Sequence, residues 1–393
     1  MPSIGYHRSD RFNKRSLLIL ASDKLIITAK PWRWAENRPR CYSSNSRFIE
    51  TNDMNNEWIQ FLQAHPEPVD PASPSSAAWA PLDTRTSLLV NGEEAGDFLQ
   101  AMLTQEILSL DGSHAARGAL CNAKGRILTT VLIHPLRSQD GGQGMTYRLT
   151  VPAELAADLF KTLKLYVLRR RVLIEISDDW QSIGVLNPDP ALLVASGVAS
   201  APAGPLAQCT LPSGVVATWE QTGDAPRLSL QGPTHALLAL APHLPQRTTQ
   251  NAWNCAEIHD GIPTINRETV LHFVPQWINL DLLQAVSFKK GCYPGQEVVA
   301  RLHYLGKSNR RMVKGYTRMA EPVLPKSVIH PANEPETEAG EIVRSVICRV
   351  GNENMQVFLA VMRLNHLHDE LLIEGQPCTL QPGPFLETAE QRH

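Results

Sequence analysis

One thiol stands in the stretch of this chain best suited to chemistry, SFKKGCYPGQEVVAR at 287–301. Cys292 follows Lys289, Lys290 and Gly291, and precedes Tyr293, Pro294, Gly295, Gln296 and Glu297. The thiolate is the reactive form of cysteine, and nearby cations lower the thiol pKa from about 8.5, so two lysines just upstream would favour it. Gly291 and Gly295 permit backbone geometries closed to other residues, and Pro294 fixes φ between them. Gln296 to Ala300 reads as the first turns of a helix, with an acid near its positive end. The spacing predicts a thiol on a constrained turn at a helix N-terminus. The alternative is a buried cysteine in a lysine-flanked loop. Gln296 and Glu297 are expected to cap the free N–H groups of the turn; setting the charge of a bound group is the other reading. Arg301, four residues beyond Glu297, is spaced for an ion pair with it.

The elements that must position this loop follow from pattern. The chain has 393 residues, 43% hydrophobic and 19% charged, with a net charge of −2. It is long enough for two or three domains, and its charge balance carries no global bias toward nucleic acid. Seven cysteines are scattered singly, without CxxC. That argues against a disulfide framework, a zinc ribbon or a resident cluster cradle, and fits a reducing cytoplasm. No apolar run reaches the roughly 18 residues that span a bilayer.

Residues 1–53 hold ten Lys or Arg against five Asp or Glu and little periodicity. They read as a disordered or non-native extension, with Met54 as the natural initiator. Residues 54–81 read as a short amphipathic helix carrying Trp58, Phe61 and Leu62, then a Pro/Ala/Ser-rich linker. Ser87–Val90, a helix through Met102, and a hairpin around Asn122–Gly125 follow. Met145–Val151 is a strand, and Leu155, Leu159, Leu163 and Val167 mark a helix. The GGQG at 141–144 is a hairpin loop rather than a phosphate cradle, because no helix follows it. Residues 177–250 read as a small α+β unit and Asn251–His259 as a helix. Short strands from about 310 onward suggest a small barrel or sandwich. The basic run Lys161, Lys164, Arg169, Arg170 and Arg171 reads as a solvated helix end more than an RNA site.

With these residues in view, KGCYPGQE at 290–297 resembles the signature of the YgfZ family, relatives of the glycine-cleavage T-protein (aminomethyltransferase). Phe273-Val274-Pro275-Gln276, Asn279-Leu280-Asp281 and Gly261-Ile262-Pro263 agree with it, and the resemblance runs from about 82 to 385. It implies an α+β, T-protein-like multi-domain fold with a C-terminal β-barrel. The domains expected are 82–176 plus 251–309 (folate-binding region), 177–250 (small α+β unit) and 310–388 (barrel).

The resemblance further implies a folate-binding accessory protein for iron–sulfur cluster assembly or repair. Its clients would be iron–sulfur enzymes, including tRNA-thiolating radical enzymes. Cys292 would be the functional thiol, with Lys290, Gln296, Glu297 and Arg301 around it. Tetrahydrofolate or a related folate would sit against Trp253, where core packing is the competing role. Arg85 stands where the family carries a second tryptophan. No stable metal cluster, no membrane and no direct nucleic-acid contact is expected. Aminomethyl transfer needs an acid where this chain has Thr129 and Thr130, and a hydroxyl holds no negative charge near neutral pH. A one-carbon transferase, and a folate- or RNA-binding module without thiol chemistry, remain the alternatives.

Overall fold

The computed structural model describes residues 48–68, 76–137, 145–177, 179–198, 204–221, 225–306, 308–319, 322–350 and 353–381. The expectations for residues 1–47 and for the GGQG turn lie outside these. Helix α1 spans Phe48–Ala64, so Met54 falls within it, and strand β1 spans Ala78–Pro81. Then come β2 (Arg85–Asn91), α2 (Ala95–Met102), β3 (Ala116–Cys121), β4 (Ile127–Arg137), β5 (Met145–Pro152), α3 (Ala153–Val167) and β6 (Leu173–Ile176). Strands β2 to β6 form an antiparallel sheet in the order β3-β4-β5-β2-β6. Leu155, Leu159 and Leu163 recur every four residues and are buried along one face of α3. Each contributes about 2 kcal/mol of burial.

A second unit holds β7 (Trp180–Leu186), α4 (Pro190–Ser196), β8 (Gln208–Thr210), β9 (Val216–Gln221), β10 (Arg227–Pro233), α5 (Thr234–Leu238) and β11 (Gln246–Arg247). Its sheet runs β11-β1-β7-β10-β9-β8. Here the structure departs from the linker expected over 66–81. Ala78–Pro81 is a fully buried strand, antiparallel to β7 and parallel to β11. Trp79 packs with Trp58 of α1 in the core of this unit, and Phe61 stacks on Trp79 at 5.4 Å. The segment 48–81 thus completes the unit of 177–250. The physical reason is burial: four apolar residues, AWAP, had no visible partner in the local sequence. Helix α4 is short and its sequence pattern does not mark it, although Asp189 caps it by accepting from the Leu192 N–H at 2.7 Å.

Helices α6 (Gln250–His259) and α7 (Gln296–Tyr304) flank the signature loop. The C-terminal strands are β12 (Arg310–Thr317), β13 (Val328–Pro331), β14 (Gly340–Val350), β15 (Glu353–Arg363), β16 (Leu371–Ile373) and β17 (Gln376–Gln381). They close a barrel in the order β12-β15-β14-β13-β16-β17, with β16 and β17 joined at Glu374–Gly375. The fold class is α+β with a C-terminal barrel, as the resemblance implied; the strand pattern alone left barrel and sandwich open. Among the described residues no helix is long and apolar enough to cross a membrane.

One covalent feature overturns an expectation. Cys255 of α6 and Cys348 of β14 form a disulfide across 93 positions of sequence, with Cα atoms 6.0 Å apart. Cysteine spacing could not reveal it, because packing of α6 on the barrel makes the pair. A link closing so long a loop contributes about 2–4 kcal/mol. Dithiothreitol, or Cys348→Ser, should therefore lower the urea midpoint of the purified protein by a corresponding amount. Equal midpoints with and without reductant, with both thiols titrating freely, would show that the bond does not form in solution.

Candidate functional site

The signature loop is fixed at both ends. Lys290 is only 8% exposed. Its ammonium donates to the carbonyls of Leu103 and Gln105, just beyond α2, at 2.6 and 2.7 Å. Burial lowers its pKa to about 8. The charge expected to activate Cys292 is therefore turned inward as an anchor, and of the two lysines only Lys289 is exposed. Tyr293 is buried beneath Lys290, whose Nζ lies 5.4 Å from the ring centroid. Between these anchors Cys292 is exposed.

Gly295 fixes the other end. It sits at φ +82 as the N-cap of α7, and a Cβ there would lie 2.4 Å from the Asn122 carbonyl oxygen in the β3–β4 turn. No other residue fits. Gly291, by contrast, has open space around it and no positive φ, so its freedom goes unused. The capping role expected of Gln296 and Glu297 is also different. Gln296 donates across the loop to the Lys290 carbonyl at 3.4 Å. Glu297 makes no side-chain cap and is exposed, leaving only its charge near the positive helix end. Arg301 is exposed as well, and no ion pair to Glu297 forms among the described residues. Behind the loop, Gln276 donates to the Val299 carbonyl at 2.7 Å, and Asn279 grips Met312 on β12 at 2.8 Å. Arg311 holds Asp281 with two bonds, 2.7 and 3.1 Å. The flanking motifs thus brace the loop.

A second constellation lies where the three units meet. Arg85 on β2 pairs with Glu220 on β9 at 2.8 Å and with Glu257 on α6. Glu257 also meets Arg344 of β14 at 3.2 Å. Arg227 on β10 pairs with Asp260 at 2.7 Å. Burial would raise the Glu220 pKa, but the arginines win and hold it at about 2. Of these, Glu220, Arg227 and Asp260 line a cavity of about 390 Å³, together with Arg117, Met312, Lys314 and others.

Trp253 is not on that lining. It is fully buried, its ring against Gly184, with the guanidinium carbons of Arg227 and Arg85 5.1 and 5.6 Å from its centroid. The expected folate wall is the floor under the arginines, which is the core-packing role. Arg85 likewise spends its guanidinium on two carboxylates. Sequence reasoning missed Glu220, Arg227, Glu257 and Arg344. The available signal was a charge ending an apolar strand, as in VVATWE at 215–220. Thr129 is buried and donates to the Thr130 carbonyl at 3.1 Å. Thr130 accepts from the Ile265 N–H at 3.4 Å. Of the basic run on and after α3, Arg171 pairs with Glu93 at 2.8 Å, and the others are exposed. Among the described residues no group of three or more His, Cys, Asp or Glu is arranged to hold a metal.

Two outcomes follow. Gly295→Ala should destabilise the protein by several kcal/mol, while Gly291→Ala stays within about 0.5 kcal/mol. Urea midpoints compare them, and similar losses would mean that the loop is not pinned at Gly295. Glu220 has a lowered pKa, so its stabilisation is present above its ordinary 4.5 and lost as pH falls toward 2. Acid titration followed by tryptophan fluorescence should show a transition in that window. Glu220→Gln should flatten it and cost about 3–5 kcal/mol at pH 7 by leaving buried arginine charge uncompensated. Identical acid profiles would remove Glu220 from that role.

No family model matches the chain. It is 28% identical to the tRNA-modifying protein YgfZ of Colwellia psychrerythraea over 278 residues, 70% of this chain and 82% of that one. It is 28% identical to the tRNA-modifying protein YgfZ of Vibrio vulnificus over 63% of this chain and 72% of that one. The tRNA-modifying protein YgfZ of Klebsiella pneumoniae is 27% identical, over 62% and 75%. Among solved structures, the glycine cleavage system aminomethyltransferase T from Bartonella henselae superposes with a TM-score of 0.63 at 14% identity. It covers 80% of this chain and 88% of that one, a likeness of fold. With the loop at 290–297 in place, the chain is a relative of the YgfZ proteins, built on the fold of aminomethyltransferase T.

Proposed function

We propose that this chain is a folate-binding accessory protein that supports iron–sulfur enzymes, tRNA-modifying ones among them, through the thiol of Cys292. The observation that carries this reading is an exposed cysteine on a loop whose neighbours are fixed inward. Such a thiol is presented to a macromolecule rather than enclosed around a small substrate. Among the described residues the other free cysteines suit the role less. Burial pushes the Cys121 and Cys378 thiols up to about 12, and Cys209 is also raised. The relatives' name, tRNA-modifying protein, supports the choice of clients. In this reading the cluster is cargo, which Cys292 engages transiently, directly or through a persulfide or a client cysteine. The protein would work in the cytoplasm.

Folate fits the central cavity by size and chemistry. Ligand pockets commonly measure about 300–1,000 Å³ and combine apolar walls with a few fixed polar groups. Arg227 is 1% exposed, and its Nε and one Nη lack partners. These N–H groups would donate to a pterin carbonyl, and the Glu220 or Asp260 carboxylate would accept from its amino group. Bound folate would supply a one-carbon carrier. The chain's own groups do not favour aminomethyl transfer. Thr129 and Thr130 offer neutral dipoles, and the acids that reach the cavity are each held by arginine.

The test is complementation of a deletion strain, read as iron–sulfur enzyme activity and tRNA thiomethylation. Wild type should restore both, and Cys292→Ala should restore neither while accumulating to the same level. Purified protein should also show no glycine-cleavage T turnover. Full restoration by Cys292→Ala would sink the thiol reading, and turnover near that of a true T-protein would favour the transferase.

A further inference from the structure

The end of α3, the turn after it and strand β6 turn an unusual set of side chains to solvent. Lys161, Lys164, Arg169 and Arg170 are exposed there. Between and beyond them so are Leu165 at 74%, Tyr166, Leu168 at 86%, Leu173 and Ile176. A lone exposed leucine needs no explanation, but a group of them among cations marks an interaction surface. Leu168 stands at φ +51, in a turn closed by the Arg170 N–H donating to the Val167 carbonyl at 2.9 Å. That first central position of a type II′ turn favours glycine, so a leucine there is strained. Arg171 holds the turn in place: its backbone N–H donates to the Glu94 carboxylate at 2.7 Å, and its side chain pairs with Glu93 at 2.8 Å. Strand β6 is an edge of the first sheet, with β2 on one side and, among the described residues, no strand on the other. An edge strand offers its free backbone N–H and C=O groups to an incoming strand.

We propose that this edge docks an acidic, apolar segment of a partner protein, laid beside β6 as a further strand. Carboxylates of the segment meet Arg169 and Arg170, and its apolar side chains cover Leu168, Leu173 and Ile176. Glu175 is exposed in the middle of β6, so the segment's acids belong opposite the turn rather than opposite the strand. The other occupants fit less of the surface. RNA phosphates would meet the cations and leave the leucines in water. A bilayer would take up the leucines and leave the backbone groups of the edge unpaired. A second copy of the chain would bring its own arginines against these. The docking edge is also remote from the thiol. Gly295 rests on the β3–β4 turn, and β6 lies four strand spacings from β3, about 19 Å across the sheet. A partner held at β6 therefore leaves Cys292 open to another part of itself. The inference stands on this edge alone, whatever Cys292 does.

The full chain should be titrated, by fluorescence anisotropy, with a labelled peptide that has an aspartate-rich head and a tail of alternating valine and threonine. Three controls accompany it: the same tail with a lysine-rich head, the acidic peptide with its tail N-methylated at alternate residues, and a labelled uridine oligonucleotide. Sedimentation with phosphatidylserine vesicles tests a membrane, and sedimentation velocity tests self-association. The acidic peptide should bind, and both altered peptides should bind at least about tenfold more weakly. Arg169→Glu with Arg170→Glu should weaken the acidic peptide about tenfold or more. Leu168→Gly should weaken it about three- to tenfold while the thermal midpoint stays equal or rises, because the strained side chain is removed. A clear fall in that midpoint would show Leu168 serving the fold instead, and would overturn the proposal. So would equal binding of the acidic and lysine-headed peptides, or undiminished binding of the N-methylated one. Tighter binding of the oligonucleotide or of the vesicles, with loss in the arginine variant, would reassign the surface to those partners. Self-association abolished by Leu168→Gly would reassign it to a second copy. Binding of none of the probes would also refute it.

Discussion

Arg85 holds two carboxylates that the chain brings from far away. One is Glu220, from the second sheet, and the other is Glu257, from α6. Through Glu257 the same contact reaches Arg344 in the barrel. One connected set of ion pairs therefore joins all three units. Desolvating these groups costs several kcal/mol per ion, so a chain of apolar side chains would serve stability equally well. What charges add is discrimination: each arginine accepts only the geometry in which its carboxylate arrives. The seat of Trp253, under the guanidinium groups of Arg85 and Arg227, lies within that set.

The loop and the cavity are built by opposite means. At the loop, polar groups are spent on backbone carbonyls and a glycine excludes side-chain volume, so that one thiol is left outward. At the cavity, polar groups are gathered and partly left over. Both draw on the first unit, since Lys290 is anchored beyond α2 and Gly295 rests on the β3–β4 turn. Arg117 lies on β3, the strand that leads into that turn. A displacement of this hairpin would be felt at both places.

Much of this was legible. The repeat of α3, the hairpin around Asn122–Gly125 and the run of C-terminal strands pointed to mixed α and β structure ending in a barrel or sandwich, and the resemblance at 290–297 implied the barrel. The loop residues were legible as a group, because glycine, proline and cysteine state local geometry directly. The roles of individual side chains were harder. Lys290 beside a thiol reads as an activating charge, and only its burial shows it facing away. Trp253 reads as a platform until Gly184 is seen to receive its ring. Strand β1, the disulfide and the arginine network all join residues far apart in sequence. Local pattern carries no trace of a partner that folding supplies from the other side of the chain.

Strand β1 has a bearing on how the molecule is made. Its neighbours are β7 and, in parallel, β11 at Gln246–Arg247. The first sheet closes when β6 emerges from the ribosome, but β1 and α1 must wait for the second unit to be synthesised. At about 5–20 residues per second, that interval is on the order of ten seconds or more. During it, Trp58, Phe61 and Trp79 have no core to enter. A nascent chain with three aromatic side chains waiting for a core is a natural substrate for holding chaperones. The contacts of β1 therefore form late, although its residues are made before those of the first sheet.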